Sequence, residues 1–179
     1  MLKLKLNSFE VFNEKDNTFT EFPETTLQLE HSLVSISKWE AKWNKPFLSK
    51  DAKSYEELLD YIKCMTLTQN VNPEIYKYLP QDAINKINAY IESPMTATTF
   101  REEPGKKSNE IITNEIIYYW MVSFNIPFEC QKWHLNRLLT LIRVCSIKNA
   151  PPKKMSTKEI MNRNRALNKA RRAQLHTKG

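Results

Sequence analysis

The chain opens on a period of two and then changes to a period of 3.6. Leu2, Leu4 and Leu6 alternate with lysines, giving one apolar and one cationic face. Phe9, Val11 and Phe12 lead into the polar stretch Asn13-Glu-Lys-Asp-Asn17, which reads as a hairpin turn, and Thr18–Phe22 resumes the alternation. Thr25–Leu29 supplies a further strand. A sheet this small needs a cover for its apolar face, and the helices that follow are the candidates.

From His31 on, Leu33, Ile36, Trp39 and Trp43 fall at helical spacing, with Pro46 as the expected stop. Ser54-Tyr-Glu-Glu57 is a capping box that predicts a helix to about Leu67, with Leu58, Leu59, Ile62 and Met65 on one side. Asn72-Pro73 starts a short helix that ends before Pro80. The next helix, to about Ile91, carries Ile84, Ile87 and Ile91. The stretch from Ser93 to Lys107 reads as a long loop, with an extended piece at Met95–Phe100.

Two apolar, aromatic-rich helices follow, joined by an Asn-Ile-Pro turn. The first has Ile112, Ile116, Tyr119, Trp120 and Phe124 in register; the second, from Pro127, has Leu135, Leu138, Leu139, Ile142 and Cys145. Glu115 and Arg137 are placed to pair between them. Asn149-Ala-Pro-Pro-Lys153 is a linker, and Ser156-Thr-Lys-Glu159 caps a last helix to about Gln174. The expected fold is α+β: a small N-terminal antiparallel hairpin sheet (1–30) packed on a mainly α-helical bundle (31–148), then a Pro-Pro hinge and basic C-terminal helix (149–179).

Composition narrows the function. The only glycines are Gly105 and Gly179, which excludes Gly-rich phosphate loops and dinucleotide fingerprints. No apolar run approaches the roughly 18 residues of a membrane span, and the start lacks the apolar block of a signal peptide. Synthesis in a cytoplasm and no membrane partner are the expectations. The cysteines Cys64, Cys130 and Cys145 lack CxxC spacing and read as reduced thiols. Cys130 and His134 sit four apart, as metal ligands can, but without a second pair core packing is the better reading, and no metal or cofactor is expected. His31, His134 and His176 are scattered and lack triad partners, and adjacent Glu102 and Glu103 cannot flank a substrate. No catalytic residue is assigned, and an enzyme is the least favoured class.

Charge is segregated. Residues 151–179 hold nine Lys/Arg against one acid, a net +8; the rest has 18 basic and 19 acidic residues, a net −1. Cations without interleaved aromatics suit phosphate contact by charge alone. Ala166-Leu167, and Arg171-Arg172 beside alanine, add apolar surface that suits docking on an acidic protein; a merely solvated helix is the third reading. The apolar positions tip the balance toward a protein partner, with Lys158, Arg163, Arg165, Lys169, Arg171 and Arg172 as the contacts. Trp39, Trp43, Trp120, Trp133 and Leu138 are the expected anchors of the fold.

Three stretches resemble the tail assembly chaperones of long-tailed bacteriophages: HSLVSISKWEAKWNKPFL (31–48) with YEELLDYIKCMTL (55–67), ITNEIIYYWMVSFNIPFECQKWHLNRLLTLIRVC (112–145), and MSTKEIMNRNRALNKARRAQ at the basic end. The resemblance implies a non-enzymatic protein that binds the tape measure and tail tube proteins in the host cytoplasm during virion morphogenesis. Many such chaperones are acidic, and the basic arm departs from that pattern. A connector or other virion component is the alternative. A homo-oligomer, or a nucleic acid held by the basic tail, are the remaining partner candidates.

Overall fold

A computed structural model describes residues 1–13, 17–100, 111–151 and 156–177. It is an α+β fold divided into two compact units, Met1–Ser146 and Ile147–Gly179. The first holds strands β1 (Leu2–Leu6), β2 (Phe9–Asn13), β3 (Thr18–Phe22) and β4 (Thr25–Leu29) and helices α1 (Leu33–Trp43), α2 (Tyr55–Met65), α3 (Gln81–Glu92) and α4 (Asn114–Ser123). Helix α5 (Leu135–Asn149) begins in this unit, and α6 (Thr157–Leu175) lies in the second. Short 3₁₀ helices occupy Pro73–Tyr78 and Phe128–Lys132.

The four strands form one long hairpin in two ladders. β1 pairs with β4, and β2 with β3, both antiparallel. Leu6 faces Thr25 and Phe9 faces Phe22, so each strand spends two residues between ladders, a step of three, and the register runs through unbroken. Pro23, which has no N–H to give, sits in that break. A step of three switches the strand face. The buried side therefore passes from Leu4 and Leu6 to Phe9 and Phe22, whose rings stack at 4.7 Å. Residues 14–16 of the expected turn lie outside the described residues.

The free edge of β4 is also used. Leu67 N donates to the Gln28 carbonyl (2.7 Å) and Glu30 N to the Met65 carbonyl (2.9 Å), so the chain leaving α2 bridges to β4 at Leu29 and Thr66. Beneath it lie Leu4, Leu27, Leu29, Leu33, Ile36, Trp39, Met65, Ile87, Ile117, Met121, Leu135 and Leu138, all in one core.

Local chemistry starts and stops the helices. Ser32, Ser54 and Ser156 each close a capping box, at α1, α2 and α6. α1 ends at Asn44 in the left-handed conformation, two residues before Pro46. Asn125, also left-handed, ends α4, where Ile126 N reaches the Met121 carbonyl at 2.8 Å.

Four expectations are corrected. Leu58 is exposed, and α2 buries Leu59, Ile62 and Met65 together with Tyr61. Met95–Phe100 is not a strand. Pro127 opens a 3₁₀ turn, and α5 begins only at Leu135, so Cys130 and His134 do not share a helix. On α4 the buried stripe is Asn114, Ile117 and Met121, leaving Tyr119 68% exposed.

The rotation of α4 has a polar cause. Glu40, buried on α1, accepts hydrogen bonds from Phe47 N (2.6 Å), Asn114 N (2.8 Å) and Asn114 Nδ2 (2.6 Å). Its carboxylate thus sits at the N-terminus of α4, where the helix dipole favours negative charge. Asn114 is drawn inward, and positions three and seven further on follow it into the core. Glu40→Ala should leave three donors without their acceptor and cost about 3 kcal/mol of stability, read from urea unfolding. A loss below about 1 kcal/mol would contradict this role.

Candidate interaction surfaces

The buried titratable groups form a chain of bonds at the junction of β4 and α1. His31 Nδ1 and the Tyr61 hydroxyl share a hydrogen bond, and the Ser35 hydroxyl donates to the Ser32 carbonyl at 2.7 Å. The His31 and His134 rings meet edge to face at 5.1 Å. His134 Nε2–H donates to the Tyr90 carbonyl (2.9 Å), and its Nδ1 accepts from Asn136 N (3.3 Å), capping the start of α5. The Tyr90 hydroxyl donates to Glu30 (2.7 Å), and Asn136 Nδ2 ties down the carbonyls of Ile91 and Ser93. Every buried side-chain N or O among the described residues has a partner. These groups join α1, α2, α3 and α5 into one body.

A second polar cluster joins α1 to α2. Trp39 Nε1 donates to the Glu57 carbonyl and Trp43 Nε1 to Asp60 Oδ2, each at 2.9 Å. Lys45 meets Glu57 at 2.5 Å, and Lys42 pairs with Asp60. The bond from Lys45, with that from Ser54 N, holds the Glu57 carboxyl below its ordinary range.

The expected anchors separate by depth. Trp39 and Leu138 are fully buried; Trp43, Trp120 and Trp133 are half-buried against the core. Trp39 and Trp43 lie together on α1, with ring centroids 6.3 Å apart. Trp133 carries the Arg137 guanidinium on its face at 4.2 Å. The expected Glu115–Arg137 pair is therefore not formed: stacking takes Arg137, while Glu115 is exposed and turned to Thr113 at its own helix start. Glu102 and Glu103 lie outside the described residues. Among the described residues no group of three or more His, Cys, Asp or Glu is placed to hold a metal ion.

The solvent side holds three features. On α4, Tyr119 and Val122 are exposed one turn apart, and exposed Phe128 has its ring 6.3 Å from that of Tyr118. On the hairpin, the exposed Phe12 and Phe19 pair at 5.0 Å. On α6, Lys158, Arg163, Arg165, Lys169, Arg171 and Arg172 all lie along one 19-residue helix in which nothing is buried. Glu40 and Asn114, which set α4, were not singled out from the sequence. The available signal was a carboxylate four residues after Ile36, on the apolar stripe of α1.

The paired histidines give stability a pH dependence. Burial, and then the neighbouring His134, lower the His31 pKa from 6.5 to about 4; burial also lowers that of His134. Below pH 6.5 the unfolded chain binds protons that the folded one refuses, so stability falls as pH drops from about 6.5 toward 4. His31 alone should remove about 2 kcal/mol between pH 7 and pH 5, read from urea unfolding at each pH, and His31→Gln should reduce that loss. Equal stability at the two pH values would contradict it.

Comparison with known protein families, curated proteins and solved structures gives no match for this chain. The functional reading rests on its own residues.

Proposed function

We propose that this chain is a non-enzymatic tail assembly chaperone of a long-tailed bacteriophage, binding the tape measure, the tail tube protein or both during virion morphogenesis. The observation that carries the reading is the use made of the chemically capable side chains. His31, Tyr61, His134, Tyr90, Glu40, Glu57 and Asp60 bond to one another, to cations or to backbone, and hold helices in place. The outer faces carry aromatic side chains instead, of the kind that dominate protein contacts. The stretches that resemble the chaperones, 31–48, 55–67 and 112–145, are also those that supply α1, α2, α4 and the start of α5.

A chaperone of this kind covers apolar surface on its client until assembly. Tyr119 and Val122, one turn apart on α4, and Phe128 are exposed side chains suited to such a contact. Co-expression should raise the soluble fraction of the tape measure protein several-fold, and Tyr119→Ser with Val122→Ser should remove most of that gain without unfolding the chain. No gain with the unaltered protein would overturn the proposal. Stoichiometric recovery of the protein from purified virions would replace it with the structural-component alternative.

A further inference from the structure

The basic segment gains order from its helix. Within α6, Lys158, Arg165, Lys169 and Arg172 are spaced by seven, four and three residues, which puts all four on one face. At 1.5 Å per residue this cationic stripe runs about 21 Å along the helix axis. Asn162 and Asn168 flank it on either side, and Ala166, Ala170 and Ala173 lie beside it on the helix surface. The apolar remainder is Ile160, Met161, Leu167 and Leu175, all exposed, with Arg163, Asn164 and Arg171 among them.

These side chains form no continuous apolar face, since Asn164 and Arg171 interrupt the row Ile160, Leu167 and Leu175, and a hydrophobic groove needs apolar contacts at three or four successive turn positions. The stripe is a different matter. Exposed ion pairs with a protein surface contribute between nothing and about one kcal/mol each, and the partner would have to repeat its acids over the same 21 Å. A nucleic-acid backbone presents charge at every step and adds counterion release for each phosphate neutralised.

The width and side-chain chemistry fit the duplex. An α-helix with its side chains is about 10–12 Å across, and the major groove of B-DNA is about 12 Å wide. Alanines let the helix axis approach the groove floor, while Asn and Arg are the side chains that bond adenine and guanine edges there. The deep, narrow major groove of A-form RNA does not admit such a helix. The single acid in α6, Glu159, is taken up by the capping box, with Ser156 N bonded to its Oε2 at 2.7 Å. It starts the helix away from the middle of the stripe.

We infer that α6 is a DNA-binding helix that lies in the major groove of duplex DNA and contacts its phosphates through Lys158, Arg165, Lys169 and Arg172. This reaches beyond the chaperone reading and does not depend on it.

Fluorescence anisotropy of the full chain with a labelled duplex DNA of about 20 base pairs, from 50 to 300 mM salt, tests it. The logarithm of affinity should fall with the logarithm of salt with a slope of about −4, from four phosphates at about 0.9 each. K158Q/R165Q/K169Q/R172Q should weaken binding at least 100-fold at 50 mM salt with unchanged circular dichroism, since none of the four is buried. K3Q/K50Q/K86Q/K132Q, with the same change in charge elsewhere, should keep the affinity within about threefold. Undetectable binding at 50 mM salt, or equal loss in both variants, would overturn the assignment. Competition by poly-glutamate as effective per charge as by DNA would overturn it in favour of an acidic protein partner.

Discussion

The Met1–Ser146 unit depends on the stretch from Gln28 to Ser35, where the backbone turns from hairpin to helix and two other segments fasten to it. Gln28 and Glu30 bond the strand-like exit of α2, through Leu67 N and the Met65 carbonyl. The His31 carbonyl accepts from Leu135 N at 2.7 Å, the first residue of α5. Ser32 closes the cap of α1. Buried backbone groups cost free energy when unpaired, so each segment that docks here meets a fixed geometry. The side chains follow: Leu27, Leu29, Leu33 and Ile36 are without solvent exposure, and the His31 ring joins α2 to the start of α5 through Tyr61 and His134.

That arrangement has a functional consequence. The buried groups His31, Tyr61, Glu40, Glu57 and Asp60 bond to neighbouring elements and position them, and burial lowers the pKa of both His31 and His134. Among the described residues, the exposed surface includes features of two kinds. Aromatic and aliphatic side chains stand out on α4 and on the hairpin, suited to contacts with protein. Charge is gathered in the second unit, on a helix with no buried residue of its own. The chain is close to neutral up to residue 150 and carries +8 beyond it.

Much of the secondary structure was legible because its signals are local. Two of the three Ser-initiated capping boxes were visible in four-residue windows, Ser54 and Ser156, by the Glu three residues later; that of Ser32 was not, because Ser35 takes the place of the acid. The strands were readable from alternation and the polar stretch at 13–17, but not that β1 pairs with β4. What the sequence withheld was rotation and partner choice. α4 is apolar nearly all round, so periodicity could not say which side would be buried; a bond from Asn114 to a carboxylate 74 residues away decides it. Arg137 had both Glu115 and Trp133 as plausible neighbours, and only the folded geometry brings the indole beneath it. Among the anchors, Trp39 and Leu138 belong to the interior, while Trp43, Trp120 and Trp133 are only half-covered, a distinction no spacing rule carries.

Met1–Ser146 is a cooperative body built on the Gln28–Ser35 junction, and α6, in the second unit, is a cationic helix with no buried residue. Native-state hydrogen exchange tests this most directly, because it reads the opening free energy of each segment. The amides of Glu30, Leu67 and Leu135 should be among the slowest to exchange and should slow or speed together when global stability is changed. Those of α6 should exchange orders of magnitude faster and ignore the same change. Protection in α6 equal to that of Glu30, Leu67 and Leu135 would contradict the account.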